Sequence, residues 1–313
     1  MIDKATVIIP CFNVEDYIQE CLDSVLLQGE AVQRTFIVDN NCTDNTILKV
    51  KEWHRAHPNF ALTISEEKKI GAPAARNNPL FQIKTKWIQF LDADDLLVEG
   101  KIQDQIQKFN DADVICAASK HLAIDGTERN SIPEQNVLLA LMKGAGGITS
   151  SNLFSTSSIL AIHGWDESLK SSQEYDLMFR IWRTGGAFAL DMDTRALIRE
   201  RHSGQISQRN ARDKWIQLVR LRERMLTEFQ DGVAINDDLK TELYQSFFDK
   251  LRSLAKYDLN AAVCFFNRIL KPKKFSPKHS DAHSVVYVLL FRIFGFHRAE
   301  RMKRIIKPEP PGK

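Results

Sequence analysis

Three carboxylates stand within four consecutive positions at the end of the apolar segment QFL: Asp92, Asp94 and Asp95. Like charges this close repel one another unless a counter-ion or a water-facing turn relieves them. Hard divalent cations such as Mg²⁺ and Mn²⁺ prefer carboxylate oxygens and complete their coordination with water or phosphate oxygens. Two aspartates at i and i+2 in a turn can therefore reach one cation together with a diphosphate. The alternative is a solvated turn in which Asp95 caps the next helix.

The segment that carries these carboxylates lies in a region where short apolar runs alternate with helical periodicity. Strands are predicted over residues 5–10, 34–39, 60–65, 86–92 and 112–118, and helices are predicted between them. This alternation predicts an α/β fold with a doubly wound, mostly parallel sheet. Ligands of such sheets bind beyond the carboxyl ends of the strands. The polar segments PCFN, DNNCTDN, SEEKK and DADD, which end four of the strands, are therefore predicted to share one rim.

The second half of the chain has a different pattern. Residues 145–210 are irregular apart from one predicted helix over about 173–185, and helical periodicity returns from about residue 212. The predicted organisation is an α/β domain over residues 1–210 followed by a helical C-terminal region over residues 211–313.

Charge is unevenly distributed along the chain. The net charge at pH 7 is +3, but residues 271–313 contain eleven Lys and Arg against three Asp and Glu. Residues 285–307 join an apolar stretch to a basic end, a combination typical of a helix that lies at the surface of an anionic membrane. A core helix with a basic, solvated end is the alternative. Nucleic acid is not an expected partner.

The cysteines and the apolar runs indicate the compartment. Five cysteines, an odd number without a C-x-x-C pair, favour a reducing environment. Only four residues precede the first predicted strand, so no secretory signal is expected, and the apolar run at 284–291 is too short to span a bilayer. These features predict a cytoplasmic protein, peripheral on the inner face of the membrane if its C-terminal helix binds there.

Five segments, in order, resemble the family 2 glycosyltransferases, which have the GT-A fold. They are VIIPCFN at 7–13, IVDNNCTDNT at 37–46, GAPAARN at 71–77, FLDADD at 90–95 and HGWDESLKSSQEYDLMFRIWRTGG at 163–186. The resemblance implies a transfer, with inversion, of a sugar from a nucleotide-diphosphate sugar, by family default a UDP-sugar. The acceptor would be a hydroxyl of a glycan or a lipid-linked molecule in cell-surface polysaccharide or glycolipid synthesis.

The resemblance also assigns donor-side roles. Asp94 would ligate a divalent metal, Mn²⁺ or Mg²⁺, bound to the diphosphate, with Asp92 near the ribose and the metal. Asp39 would hold the imide N–H of the base, and Arg76 would lie near the base or the phosphates. The base pocket would be lined by Pro10, Phe12 and Glu15. For Phe12, a place in the core is the alternative.

Further residues are implied on the acceptor side and in a late segment. The base that takes the acceptor's proton corresponds to Glu174, with Asp176 as the second candidate. A helix-start carboxylate favoured by the macrodipole is the alternative. Trp165 would pack beneath the acceptor. The remaining implied contacts are Asp166 and Glu167 to acceptor hydroxyls, and His202, in RERHSGQIS at 199–207, to the metal or diphosphate.

Two departures from the family's pattern leave other functions open. Asn40 stands where the family has the second carboxylate of V-D-D, and Gln173-Glu174 replaces its Glu-Asp pair. A nucleotide-sugar binding or scaffold protein with impaired catalysis would account for both. A phosphotransferase of the haloacid dehalogenase kind also has D-x-D after a strand. Its motif normally follows the first strand, however, and has Thr or Ser where Leu96 stands here.

Overall fold

The computed structural model describes residues 3–200, 211–232, 235–280 and 283–306. The chain forms two compact units, one of Met1–Ala140 with Gly144–Gly204 and one of Leu141–Lys143 with Gln205–Lys313. The predicted domain boundary after residue 210 falls at the edge of residues 201–210, which lie outside the described residues. A division of function at that point stays a prediction.

Strands and helices alternate along the first unit. Its strands are β1 (Ala5–Cys11), β2 (Val32–Asp39), β3 (Leu62–Glu66), β4 (Trp87–Phe90), β5 (Leu96–Leu97), β6 (Val114–Ala117), β7 (Ser119–Leu122), β8 (Glu128–Ser131), β9 (Leu153–Ser155), β10 (Phe188–Asp191) and β11 (Ala196–Arg199). Its helices are α1 (Ile18–Leu26), α2 (Thr46–Ala56), α3 (Ala72–Asn77), α4 (Lys101–Lys108), α5 (Val137–Lys143, ending in the second unit), α6 (Thr156–Ala161) and α7 (Gln173–Arg183).

A seven-stranded sheet in the order β10-β6-β9-β4-β1-β2-β3 forms the centre of this unit. Strands β1 to β4 run parallel to one another, β10 runs parallel to β6, and β9 is antiparallel to both of its neighbours. The mostly parallel α/β sheet confirms the predicted fold class. Because β2 and β3 lie on one side of β1 and β4 lies on the other, the chain order reverses between β1 and β4. Ligands of doubly wound sheets bind at such a reversal.

The apolar sequence of β1 explains its central position. Every residue of this strand except Pro10 is buried, as expected of a parallel strand covered on both faces. One face of β1 joins a core that includes residues of α1, α2 and α4. Helix α1 contributes to this core through apolar side chains at helical spacing, namely Ile18, Cys21, Leu22 and Val25.

A second sheet, in the order β5-β11-β7-β8, holds the chain that follows the three carboxylates. Strand β5 pairs with β11, so Leu97 lies opposite Ala196 and Leu96 opposite Leu197. Helix α4 begins only at Lys101, with Gly100 at its N-cap. The alternative in which Asp95 caps the next helix is therefore wrong, because strand β5 comes between them.

Lys101 is fully buried at the start of α4. Its Nζ donates to Gln89 Oε1 at 2.5 Å and to Gln105 Oε1 at 2.9 Å. Gln105 in turn donates to Asp191 Oδ2 at 3.0 Å. Burial lowers the pKa of Lys101 to about 7, although the charge of Asp191 opposes this shift. The core of the first unit thus contains an amine that titrates near neutrality.

Four helices make up the described part of the second unit beyond residue 210: α8 (Ala211–Gly232), α9 (Asp237–Tyr257), α10 (Leu259–Ile269) and α11 (Val285–Ile306). They confirm the predicted helical C-terminal region. Phe248 of α9 lies at its centre, with ring centroids 5.5 Å from Phe291 and 5.4 Å from Phe296. Helix α11 is kinked at Gly295, where φ is 71°. None of the helices in the described ranges combines the length and apolarity that crossing a bilayer requires.

Replacing Lys101 with Met is expected to flatten the pH dependence of the free energy of unfolding between about pH 7 and 10. The unfolded lysine has a pKa of about 10.4. In that window the unfolded state keeps a proton that the folded state has released, so wild-type stability rises with pH. Relative to Lys101→Met, the rise should be up to about 1.4 kcal/mol per pH unit.

Urea unfolding at a series of pH values measures this difference. The exposed Lys84, changed to Met, is the matched control and should give a curve parallel to that of the wild type. A Lys101→Met curve that also stays parallel to the wild type would contradict the assigned titration.

Candidate active site

An ion pair between Arg76 and Asp92 lies at the carboxyl end of β4. The side chain of Arg76, on α3, is buried, and its Nη2 lies 2.5 Å from Asp92 Oδ1. The guanidinium Cζ lies 4.6 Å from the ring centroid of Trp165, and Nη1 lies 3.5 Å from Gln173 Oε1. Three of the predicted segments, 71–77, 90–95 and 163–186, therefore meet at one side chain. The departure at Gln173 places a neutral acceptor beside this cation.

Asp95 faces inward and supports the turn from below. Its Oδ2 accepts a hydrogen bond from Ser150 Oγ at 2.6 Å, and its Oδ1 accepts from the Arg199 N–H at 3.2 Å. Ser150 Oγ also accepts from the Asp92 N–H at 3.1 Å. Burial, and then the charges of Asp92 and Asp94, raise the pKa of Asp95 well above its usual range. The like charges of Asp92 and Asp94 therefore act on Asp95 in the folded chain, as the spacing of the three carboxylates predicts.

Arg199, at the end of β11, holds the backbone of the same turn. Its Nε donates to the Asp94 carbonyl oxygen at 2.5 Å. The guanidinium also pairs with Glu20 and lies 5.2 Å from the ring centroid of Tyr17. Sequence reasoning missed both Arg199 and Ser150. The only available signal was that Arg199 opens the RERHSGQIS segment.

Asp92 and Asp94 are the residues that fit a divalent cation. Both are partly exposed at the rim. In the described part of the chain, no three His, Cys, Asp or Glu side chains converge to form a cation site. Mg²⁺ is commonly held by one or two carboxylates and completes its coordination with water and substrate phosphates, which this pair allows. His202, the third predicted ligand, lies outside the described residues.

The predicted base pocket lies where β1 and β2 end. Phe12 follows β1 and is 48% exposed, so it is not a core aromatic and its ring is open to stacking. Pro10, within β1, is partly buried. Asp39 ends β2, and its Oδ1 accepts from the Cys42 N–H at 2.9 Å. Asp39 also lies opposite Cys11 in the β1–β2 register, so these candidates share one edge of the sheet.

Glu15 has a local structural role. Its Oε2 accepts from the backbone N–H of Asn45 at 3.1 Å and from the Asn45 side-chain amide at 2.9 Å. Asn45 precedes the first residue of α2. The carboxylate therefore stabilises the start of α2, where a negative charge favours the helix dipole. Its predicted place in the base pocket stays a prediction.

Asn40 explains one departure from the family's pattern. It is buried, and its Nδ2 donates to the carbonyl oxygens of Glu67 and Lys69, both at 2.8 Å. Its Oδ1 accepts from the Gly71 N–H at 2.8 Å. An amide can donate and accept in this way, whereas a carboxylate can only accept. Asn40 thus fixes the loop between β3 and α3, which leads directly to the helix that carries Arg76.

Asn77 connects α3 to the acceptor-side segment. Its Nδ2 donates to the Trp165 carbonyl at 2.9 Å, and its Oδ1 accepts from the Trp165 N–H at 2.8 Å. Trp165 is buried with its ring edge-on to Phe90, at a centroid distance of 5.1 Å. The indole is therefore held between β4 and the guanidinium of Arg76.

Asp166 and Glu167 both bond within the protein. Asp166 Oδ1 accepts from the N–H and the hydroxyl of Ser168, at 2.9 and 2.7 Å. Glu167 accepts from Asn77 Nδ2 at 2.9 Å and from Lys69 Nζ at 2.6 Å. These bonds lower the pKa of Glu167, so it is ionised at neutral pH. Contacts of either residue with an acceptor stay predictions.

The two candidates for the catalytic base differ in their surroundings. Asp176 is buried, and its Oδ2 accepts from Arg180 Nε at 2.7 Å. Arg180 also donates to the carbonyls of Ile162 and Gly164, at 2.8 and 2.7 Å, so Asp176 helps to fix that turn. Glu174 lies in the first turn of α7 and remains partly exposed. Glu174 is therefore the more accessible of the two carboxylates, and the role of either as the base stays a prediction.

Replacing Asn40 with Asp is expected to lower the free energy of unfolding by about 1–3 kcal/mol, because the carbonyls of Glu67 and Lys69 lose their donor and face a carboxylate. Chemical denaturation measures the loss. Asn41→Asp is the matched control: Asn41 is exposed and makes only longer bonds to the same loop, at 3.3 and 3.2 Å. Equal losses in the two variants would contradict the role assigned to Asn40.

Comparison with protein families gives one matching model. The model described as Glycosyl transferase family 2 matches residues 6–161. This range includes the Arg76–Asp92 pair and ends before Trp165.

A curated relative and two solved structures are similar to the chain. An Escherichia coli protein, UDP-Glc:alpha-D-GlcNAc-diphosphoundecaprenol beta-1,3-glucosyltransferase WfgD, is 35% identical over 101 residues, which are 32% of this chain and 39% of WfgD. The structure of S. aureus TarS 1-349 with UDP-GlcNAc has a TM-score of 0.72 at 17% identity, over 97% of this chain and 92% of that one.

The second structure extends the likeness in fold. The mannosyltransferase PcManGT from Pyrobaculum calidifontis, in complex with GDP-Man and Mn²⁺, has a TM-score of 0.58 at 16% identity. The structural match covers 99% of this chain and 89% of PcManGT. The chain spans less than half the length of the curated relatives that it matches.

Proposed function

The chain belongs to glycosyl transferase family 2 and has the GT-A fold, and on this basis we propose that it is an inverting, metal-dependent glycosyltransferase. The donor would be a nucleotide-diphosphate sugar, with UDP as the nucleotide. The observation that carries the proposal is the meeting of three predicted segments at Arg76, where its guanidinium pairs with the carboxylate of Asp92. A fixed cation and the carboxylates of Asp92 and Asp94, near the reversal of strand order, would suit a bound diphosphate and its metal.

The proposed acceptor is a hydroxyl of a glycan or of a lipid-linked molecule in cell-surface polysaccharide or glycolipid synthesis. The name of WfgD, which includes both UDP-Glc and a diphosphoundecaprenol-linked sugar, supports this class of acceptor. TarS, whose structure contains UDP-GlcNAc, supports the UDP-sugar donor. A cytoplasmic location at the inner face of the membrane would bring the enzyme to a lipid-linked acceptor.

The proposed chemistry uses residues on the two sides of Arg76. Asp92 and Asp94 would hold Mn²⁺ or Mg²⁺, which when bound would neutralise charge on the departing diphosphate. Arg76 pairs with Asp92 and would offer its guanidinium to the phosphates of the donor. Glu174 would take the proton of the acceptor hydroxyl while the hydroxyl oxygen attacks the anomeric carbon of the donor sugar. The new C–O bond forms on the face opposite the leaving nucleoside diphosphate, so the configuration inverts.

Binding followed by turnover tests this function against the alternatives. Calorimetry with UDP should give heat of binding that depends on Mn²⁺, and a screen of nucleotide-sugars with Mn²⁺ should find one that is hydrolysed. Binding without hydrolysis would favour the scaffold protein. Binding that is indifferent to metal would contradict the metal-dependent transferase.

Asp94→Ala is expected to remove the Mn²⁺-dependent part of UDP binding, because a cation held by few protein ligands loses one of them. Asp95→Asn is the matched control. It should keep the metal dependence at some cost in stability, since the Asp95 carboxylate bonds inward to Ser150 and Arg199. Loss of the metal dependence in Asp95→Asn but not in Asp94→Ala would reverse the assignment.

Glu174→Gln is expected to leave UDP binding unchanged and to lower the rate of transfer about 10²- to 10⁴-fold, the usual contribution of a general base. Asp176→Asn should instead lower the melting temperature, because Asp176 pairs with Arg180 in a buried position. Single-turnover assays and thermal unfolding of both variants separate the two roles. Near-normal transfer by Glu174→Gln would make Asp176 the preferred base.

A further inference from the structure

Helix α11 is apolar on two opposite sides ahead of its kink at Gly295. One side is buried in the second unit through Tyr287, Val288 and Phe291. The opposite side leaves Val285, Val286, Leu289 and Ile293 exposed by 56%, 59%, 50% and 69%. At 3.6 residues per turn these four side chains fall within an arc of about 100°. A helix that is apolar all round normally has a second apolar surface to cover it.

Basic residues are frequent in the chain before and after this exposed face. Residues 271–280 and 283–306 contain nine Lys and Arg, and their only acidic residue is Glu300. Glu300 is buried and paired with Arg252 at 2.7 Å, so it presents no charge at the surface. Arg292 Nε lies 3.5 Å from Ser276 Oγ, which brings the lysine-containing turn after α10 alongside α11. The described residues of this segment therefore combine an excess of cations with an apolar stripe along α11.

We propose that this face of α11 binds the surface of a membrane that contains anionic phospholipid. Apolar side chains would enter the acyl boundary while the surrounding cations meet the headgroups, as in helices that lie in the interface. A second copy of the chain would bring the same cations against this face, so self-association is disfavoured by charge. A nucleic acid would leave the apolar stripe uncovered. The inference gives a surface and a partner to the membrane location proposed above.

Flotation of the full chain with phospholipid vesicles tests the proposal. We expect binding to vesicles that mix phosphatidylglycerol with phosphatidylcholine, weaker binding to phosphatidylcholine alone, and loss of the difference at high salt. Leu289→Glu combined with Ile293→Glu should lower the partition coefficient by more than about tenfold, since two apolar side chains no longer leave water on binding. Both positions are exposed, so circular dichroism and melting temperature should stay close to those of the wild type.

Ile124→Glu is the matched control, because Ile124 is 46% exposed in the turn between β7 and β8, far along the chain from α11. It should bind vesicles as the wild type does. Absence of wild-type binding to any vesicle, or equal binding by the double variant, would overturn the proposal. So would a wild-type dimer that the double variant abolishes, which would assign the face to a second copy. Hydrolysis of a nucleotide-sugar without vesicles reports separately on the proposed function.

Discussion

The arrangement of the rim depends on one interaction, the buried guanidinium of Arg76 against the carboxylate of Asp92. A charge in the interior needs a partner, and here the partner is one of three crowded carboxylates. The pair therefore compensates the buried charge of Arg76 and reduces the repulsion among the three carboxylates. It also sets positions beyond itself, because the same guanidinium lies over Trp165 and reaches Gln173 at the start of α7. The segments predicted to lie on the donor and acceptor sides are thus linked through a single side chain.

The surroundings of this pair keep it in place from several directions. Asn40 fixes the loop that leads into α3, Ser150 braces the turn below Asp92, and Arg199 holds the Asp94 backbone. None of the three needs to touch a substrate to matter. The proposed diphosphate site would rely on such supports, since a small displacement weakens every contact made to a ligand.

The sequence predicted the parts of the fold that follow from local pattern. Strands β1, β2 and β4 each contain buried apolar residues, and their polar ends share the rim, as parallel pairing requires. Strands β9 and β10 and the second sheet were not predicted, because their pairing depends on neighbours that are distant along the chain. The same holds for Ser150 and Arg199, whose bonds reach 55 and 105 positions along the chain. A buried Lys101 runs against the usual exposure of lysine and could only be seen in three dimensions.

Asn40 has one more consequence. A carboxylate at this position would gain or lose a proton as the pH changes, whereas the amide of Asn40 stays neutral. The hydrogen bonds of Asn40 to the loop before α3 therefore do not depend on pH. A loop held in this way keeps its shape when nearby carboxylates gain or lose protons. The position of the loop before α3, the helix that carries Arg76, therefore does not depend on the protonation of the rim carboxylates.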